Sequence, residues 1–257
     1  MIKLVASDLD GTLLHNYQQT VPKEIYDTIK ALHEKGIIFT AASGRQYANI
    51  RRLFAPLGFD IPYIAENGSM CVYKEEILAT GLTPSKTIRH ILDALMEYRK
   101  IYHTGHCILS VKDTYYSDST DERFIDYMEN DMHNIVTYVP DLYAIKEPII
   151  KAAICDFGGT KNLEPFFHKR IGDEIRVVTS ADHWIDFIAP NANKGTALME
   201  KFGIKKEECI CFGDQQNDIE MLKAAGTAYV MATGHPLAKK AADYVVESPL
   251  PVMQGLL

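Results

Sequence analysis

Two aspartates one residue apart, in Ser7-Asp8-Leu9-Asp10-Gly11-Thr12, follow directly on the apolar segment Ile2-Lys3-Leu4-Val5-Ala6. The pattern is that of a buried strand closing in a glycine turn, with both carboxylates at the strand's end. Ionised carboxylates taken out of water are costly unless a cation or hydrogen-bond donors compensate them. A catalytic acid pair meets that description, and so does a plain Asp-Gly turn. The rest of the chain has to distinguish the two.

Three further segments could do chemistry. Ser43-Gly44-Arg45 follows a second apolar segment and precedes a helical one. The free N–H groups of a helix start suit an anion there, Ser43 adds a hydroxyl donor and Arg45 a charge. Serine also caps helices for its own reasons. Asn193-Lys194-Gly195-Thr196 puts a lysine where a helix opens, which opposes the helix dipole unless an anion such as phosphate is bound. Gly213-Asp214-Gln215-Gln216-Asn217-Asp218 follows the apolar Cys209–Phe212 stretch and brings two more carboxylates. An oxygen-only donor set without histidine or cysteine points to Mg²⁺ rather than zinc. Asn217 or Asp218 would equally cap the helix that follows.

The elements needed to hold these segments are visible in the apolar periodicity. Strands over 2–7, 37–42 and 62–65 alternate with a helix over 22–35 and one that follows the Ser43-Gly44 turn and carries Tyr47, Ile50 and Leu53. Such alternation with short turns predicts a parallel sheet with right-handed crossovers. It resumes with helix 194–202, strand 208–212, helix 218–224, strand 227–230, helix 236–242 and strand 243–246. The middle differs, with helices over 85–100, 121–131 and 163–170 and meandering strands over 107–111, 114–117, 149–156, 174–179 and 184–188. The simplest account is one α/β domain, residues 1–81 and 189–257, interrupted by an α+β domain over 82–188.

Bulk properties narrow the function classes. The formal net charge of −7 argues against a nucleic-acid surface, which needs a basic stripe. No apolar run approaches the roughly 20 residues of a membrane span. Five cysteines without CxxC spacing are those of reduced, buried thiols, and a cytoplasmic location is expected.

Taken in order, Asp8-Leu9-Asp10-Gly11-Thr12, Ser43-Gly44-Arg45, Lys194-Gly195 and Gly213-Asp214 with Asn217-Asp218 resemble the haloacid dehalogenase (HAD) superfamily of phosphohydrolases. Ala42-Ser43-Gly44-Arg45-Gln46-Tyr47, Glu66-Asn67-Gly68 and the placement of the insert look like its Cof-type branch with a type IIB cap. The resemblance implies a Rossmann-like parallel-sheet core and a cap, residues 82–188, that chooses the substrate. It also implies a phosphomonoester hydrolase acting on small phosphorylated metabolites, sugar phosphates above all. By the same resemblance Asp8 is the nucleophile, forming an aspartyl-phosphate, and Asp10 is the acid and base. Asp8, the Asp10 carbonyl, Asp214 and Asp218 hold Mg²⁺, and Ser43, Gly44, Lys194 and Asn217 hold phosphoryl oxygens. Arg45 is a candidate for substrate binding and Thr12 an orienter of the first loop. The two-aspartate motif separates phosphoester chemistry from the superfamily's dehalogenases, phosphonatases and transport ATPases. A phosphohexomutase and a noncatalytic phosphosugar-binding protein remain alternatives. The protein is expected to be a monomer or a weak homo-oligomer, with no nucleic-acid or membrane partner.

Two motifs are set aside. Asp156-Phe157-Gly158-Gly159-Thr160-Lys161 is similar to a sugar-kinase phosphate loop but sits inside the insert, where a strand–turn–helix junction explains it. His103 and His106 lack a third ligand and read as polar loop residues. In the insert, Tyr115, Tyr116, His183 and Trp184 are candidates for a substrate-facing surface, or for core.

Overall fold

The computed structural model describes residues 1–15, 18–112, 114–190, 192, 194–195 and 203–257. The chain forms two compact units, Met1–Thr80 with Asn193–Leu257, and Gly81–Ala192. The first unit opens with β1 (Leu4–Asp8), α1 (Lys23–Glu34), β2 (Ile38–Ala42), α2 (Tyr47–Phe54), β3 (Tyr63–Ala65), β4 (Met70–Tyr73) and β5 (Glu76–Thr80). The second holds α3 (Ser85–Tyr102), β6 (His106–Ser110), β7 (Tyr115–Ser117), α4 (Glu122–Asp126), β8 (Val136–Tyr138), β9 (Lys151–Cys155), α5 (Thr160–Ile171), β10 (Arg176–Ala181) and β11 (Trp184–Ile188). The first unit is completed by β12 (Cys209–Gly213), α6 (Ile219–Ala224), β13 (Thr227–Met231), α7 (Pro236–Ala241), β14 (Tyr244–Val246) and α8 (Leu250–Gln254).

In the first unit one sheet runs β14-β13-β12-β1-β2-β3-β4-β5. The pairings from β14 to β3 are parallel, as strand–helix alternation dictates. β1 lies at the centre and every one of its residues is buried. Helix α1 buries Ile25, Ile29 and Leu32 at helical spacing. Gly36, at φ +75°, takes the left-handed position that ends it. The antiparallel hairpin β4–β5 was not expected from the sequence. Its turn residues Lys74 and Glu75 both have positive φ, 50° and 65°, a conformation normally signalled by asparagine or glycine.

The second unit is a six-stranded sheet, β10-β11-β9-β6-β7-β8. All its pairings are antiparallel except β7 with β8. Ile91, Leu95 and Tyr98 of α3 and Leu163 and Phe167 of α5 pack with Cys107, Leu109, Ala152, Ile154, Ile185 and Phe187 of the strands. β8 is a three-residue strand too short to show alternation. The helix expected over 121–131 is α4 continuing as a π-helical turn, Tyr127–Asp131. Asp156 closes its turn by accepting from Gly158 N at 2.8 Å and Tyr98 Oη at 2.6 Å, as a structural junction should. His103 ends α3 at φ +57°, while His106 stacks on Phe124 and contacts Ser119. Tyr115 and Trp184 are core residues. The helix expected over 194–202 lies outside the described residues, apart from Lys194 and Gly195.

Candidate active site

Parallel strands that start together end at one edge. Register pairs Asp8 with Ala42 and Ser7 with Phe212, so the segments after β1, β2 and β12 leave the same carboxyl edge. Open α/β sheets hold their ligands at that edge. All the candidate residues lie in the first unit.

Lys194 is the hub. Its ammonium is fully buried and donates to Asp8 Oδ1 and to Asp218 Oδ1, both at 2.7 Å. Burial alone would lower its pKa, but Asp218 and Asp8 outweigh that and raise it. Carboxylates therefore account for the lysine that the sequence left unexplained. Among the described residues these two carboxylates take two of its three protons.

Asp8 is buried, and among the described residues its Oδ2 has no hydrogen-bond partner. Burial, and then Asp218, hold its pKa well above the usual carboxylate range. Asp214 is likewise raised, to about 6, by burial and then by Asp218. It accepts from Thr12 Oγ1 at 3.3 Å and from Gln215 Nε2 at 3.1 Å. Asp8, Asp214 and Asp218 each present an oxygen within 4.8 Å of the others. A buried carboxylate oxygen without a partner, in a cluster of hard oxygen donors, fits a divalent cation such as Mg²⁺. Asp218 plays a different part from the other two. Its Oδ1 holds Lys194, and its Oδ2 accepts from the backbone N–H of Asp214 and Gln215 at 2.9 and 3.0 Å. Rather than capping α6, it reaches back to fix the turn that carries Asp214.

Asp10 stands apart. Arg45 donates to both of its oxygens, Nε at 2.8 Å and Nη2 at 2.6 Å. The same guanidinium reaches Gln18 O and Gln19 Oε1. Arg45, expected to face a substrate, is thus engaged by the second aspartate. Gly11, directly after Asp10 and at φ +88°, lets the loop turn over Asp214. A Cβ there would lie 2.4 Å from Asp214 Oδ2.

Ser43 does not cap α2. Its hydroxyl accepts from Arg45 N at 3.1 Å, and the helix begins at Tyr47 after Gln46. Asn217 donates to Asn67 Oδ1 at 2.9 Å. Asn67 also lies so close to Gly44 that a Cβ at that position would be 2.9 Å from its Oδ1. Both Glu66 and Asn67 hold positive φ, 52° and 58°. In the sequence Asn67 stands out as the end of the 62–65 strand, with Gly68, and as part of a family marker. Its αL-tolerant residue type before a glycine was the available signal, and it indicated a turn rather than a contact.

The chain matches haloacid dehalogenase-like hydrolases over residues 5–249, nearly its whole length. It belongs to that family. An Escherichia coli relative, 5-amino-6-(5-phospho-D-ribitylamino)uracil phosphatase YbjI, is 25% identical over 247 residues, 95% of this chain and 90% of its own. The fold matches a haloacid dehalogenase-like hydrolase from Bacteroides thetaiotaomicron with a TM-score of 0.86 at 22% identity, covering all of both chains. A HAD subclass IIB sugar phosphatase superposes with a TM-score of 0.81 at 23% identity, over 99% of this chain and 97% of that one. This HAD family member is accordingly a hydrolase of phosphate monoesters with the superfamily's α/β architecture. Among its described residues no helix is long and apolar enough to cross a membrane.

Proposed function

We propose that the protein is a Mg²⁺-dependent phosphatase of small phosphorylated metabolites, chiefly sugar and sugar-alcohol phosphates, working in the cytoplasm through an aspartyl-phosphate. The observation that carries this reading is Asp8. One of its oxygens is anchored by Lys194 and the other is buried without a partner among the described residues.

A phosphate monoester repels an anionic nucleophile, so the site has to neutralise charge and align the attack. Asp8 forms the bond to phosphorus, dividing the reaction into two easier displacements. Asp10 gives a proton to the leaving oxygen and then takes one from the water that cleaves the acyl phosphate. Arg45 holds Asp10 in place through its two hydrogen bonds. The third proton of Lys194, the Ser43 hydroxyl, the Gly44 backbone and Asn217 bind phosphoryl oxygens, with Asn67 orienting Asn217. Asp8, Asp214 and the Asp10 carbonyl would hold Mg²⁺, and Asp218 supports them from behind. When bound, the ion screens the charge between the nucleophile and the phosphoryl group.

The substrate class rests on likeness. The E. coli relative acts on a phosphorylated ribityl compound and the subclass IIB neighbour on sugar phosphates. The unit Gly81–Ala192 is, on this reading, the substrate-selecting cap.

The test is phosphate release from p-nitrophenyl phosphate and a panel of sugar and sugar-alcohol phosphates, with Mg²⁺ and with chelator. Release should need Mg²⁺, and Asp8→Asn should abolish it in a folded protein. Full Mg²⁺-dependent turnover by Asp8→Asn would overturn the aspartyl-phosphate. Conversion of a sugar 1-phosphate to its 6-phosphate without phosphate release would instead establish a mutase.

A further inference from the structure

Glu66, Asn67 and Gly68 hold positive φ one after another, at 52°, 58° and 92°. Ser69 N–H closes the turn by donating to Glu66 O at 3.1 Å. Residues with a side chain enter that region singly, and glutamate has neither glycine's freedom nor the short polar side chain that helps asparagine there. The turn joins β3 to β4, with Ala65 and Met70 paired across it. Joining them does not call for this conformation. A four-residue hairpin loop is most often built around a type I turn, whose central residues have negative φ. Loops also run over the surface, whereas Glu66 and Asn67 are each 1% exposed.

What the turn holds does account for its conformation. Successive N–H groups of an extended chain point to opposite sides, and a turn can aim both at one place. Glu66 N–H donates to Arg45 O at 3.2 Å, and Asn67 N–H donates to Ser43 O at 3.1 Å. The Asn67 side chain then accepts from Asn217 Nδ2 at 2.9 Å. The turn thus ties the loop after β2 to the loop after β12. Its first bond holds the backbone of Arg45, whose guanidinium grips Asp10. Strain kept at a functional site in this way persists because the surroundings require it.

We propose that Glu66-Asn67-Gly68 is a strained positioning turn, in which Asn67 sets affinity for the phosphoryl group by holding Asn217 and the Ser43 loop in one arrangement. The proposal rests on the reading of Ser43, Gly44 and Asn217 as phosphate-binding groups, and it names what aims them. Asn67 acts through Asn217 and is a positioning residue.

The experiment titrates inorganic phosphate, in the presence of Mg²⁺, into the parent, Asn67→Gly, Asn217→Ala and the double variant, read by calorimetry. Glycine keeps the left-handed turn and both backbone hydrogen bonds and removes only the carboxamide. The dissociation constant of Asn67→Gly should rise about 5–10-fold, the effect of one hydrogen bond. The double variant should bind no more weakly than Asn217→Ala, because the two side chains act as one unit. Asn67→Ala, which burdens the left-handed position with a Cβ, should melt several degrees below Asn67→Gly. Unchanged phosphate affinity in a folded Asn67→Gly overturns the proposal, as do losses that add in the double variant or a parent that binds no phosphate. Equal melting of the alanine and glycine variants overturns the strain. Turnover of p-nitrophenyl phosphate by the parent reports separately on the phosphatase reading, which can stand when the positioning turn falls.

Discussion

Arg45 grips Asp10 by a two-point fork, Nε to Oδ2 at 2.8 Å and Nη2 to Oδ1 at 2.6 Å. The arrangement fixes the direction of a carboxylate that otherwise ends a mobile side chain, and a planar guanidinium does this where an ammonium cannot. A misplacement of about 1 Å in such a group costs roughly 100-fold in rate. Arg45→Met should therefore lower kcat for alkyl phosphates by about that factor. The loss should be smaller for p-nitrophenyl phosphate, whose leaving group needs no proton. Equal losses on the two ester types would remove Arg45 from the proton-transfer step. Arg45→Lys, which keeps the charge and loses the fork, should fall between.

Gly11 is required twice over. Its φ of +88° is one that residues with a side chain rarely adopt, and a Cβ would stand 2.4 Å from Asp214 Oδ2. Backbone strain of this kind costs about 1–3 kcal/mol. At this chain length that amounts to several degrees in Tm, at roughly 2–4 °C per kcal/mol. Gly11→Ala should show that loss and, by displacing Asp214, weaken Mg²⁺ binding about 10-fold or more. Calorimetric titration with Mg²⁺ separates the two effects.

Lys194→Met would strand Asp8 and Asp218, which share the ammonium at 2.7 Å. Removing one partner from a buried ionic cluster costs about 3–5 kcal/mol. The expected result is a Tm loss at pH 7 that shrinks at pH 5, because a proton can then take the place of the ammonium on Asp8. Activity should be lost at both pH values. A Tm loss independent of pH would mean that packing, and not charge, is the lysine's main contribution.

The carboxylate cluster also makes metal-free stability depend on pH. Asp214 titrates at about 6, raised first by burial, and Asp8 is raised for the same reason. A group whose folded pKa is raised stabilises the fold below its ordinary value, and that contribution is lost as pH rises through the folded value. In chelator, Tm should thus decline between about pH 4 and 6 on account of Asp214. At the proposed site Mg²⁺ would compete with the proton for these oxygens, so the rise in Tm on adding Mg²⁺ should be larger at pH 7 than at pH 5. A thermal-shift series in the two buffers checks the sign directly.

How much of this was legible in the sequence follows from which interactions are local. Strand–turn–helix order, the glycine turns and the acid, hydroxyl and lysine groups at their ends are set by neighbours in the chain, so the α/β core and the placement of the four candidate segments at strand ends could be read directly. The β4–β5 hairpin could not, because Lys74-Glu75 lacks the residues that usually signal such a turn. Nor could the partners of the site residues. Lys194 meets Asp8 across 186 positions, Asn217 meets Asn67 across 150 and Arg45 meets Asp10 across 35. The juxtaposition of Lys151 with Asp186 likewise depends on the register of β9 against β11. A one-residue slip in either strand would turn its charge to the opposite face. The sequence by itself determined which chemical groups stand at the strand ends. Only the tertiary structure decided which of them share a proton, a charge or a hydrogen bond, because those energies depend on distances of a few ångströms between segments far apart in the chain.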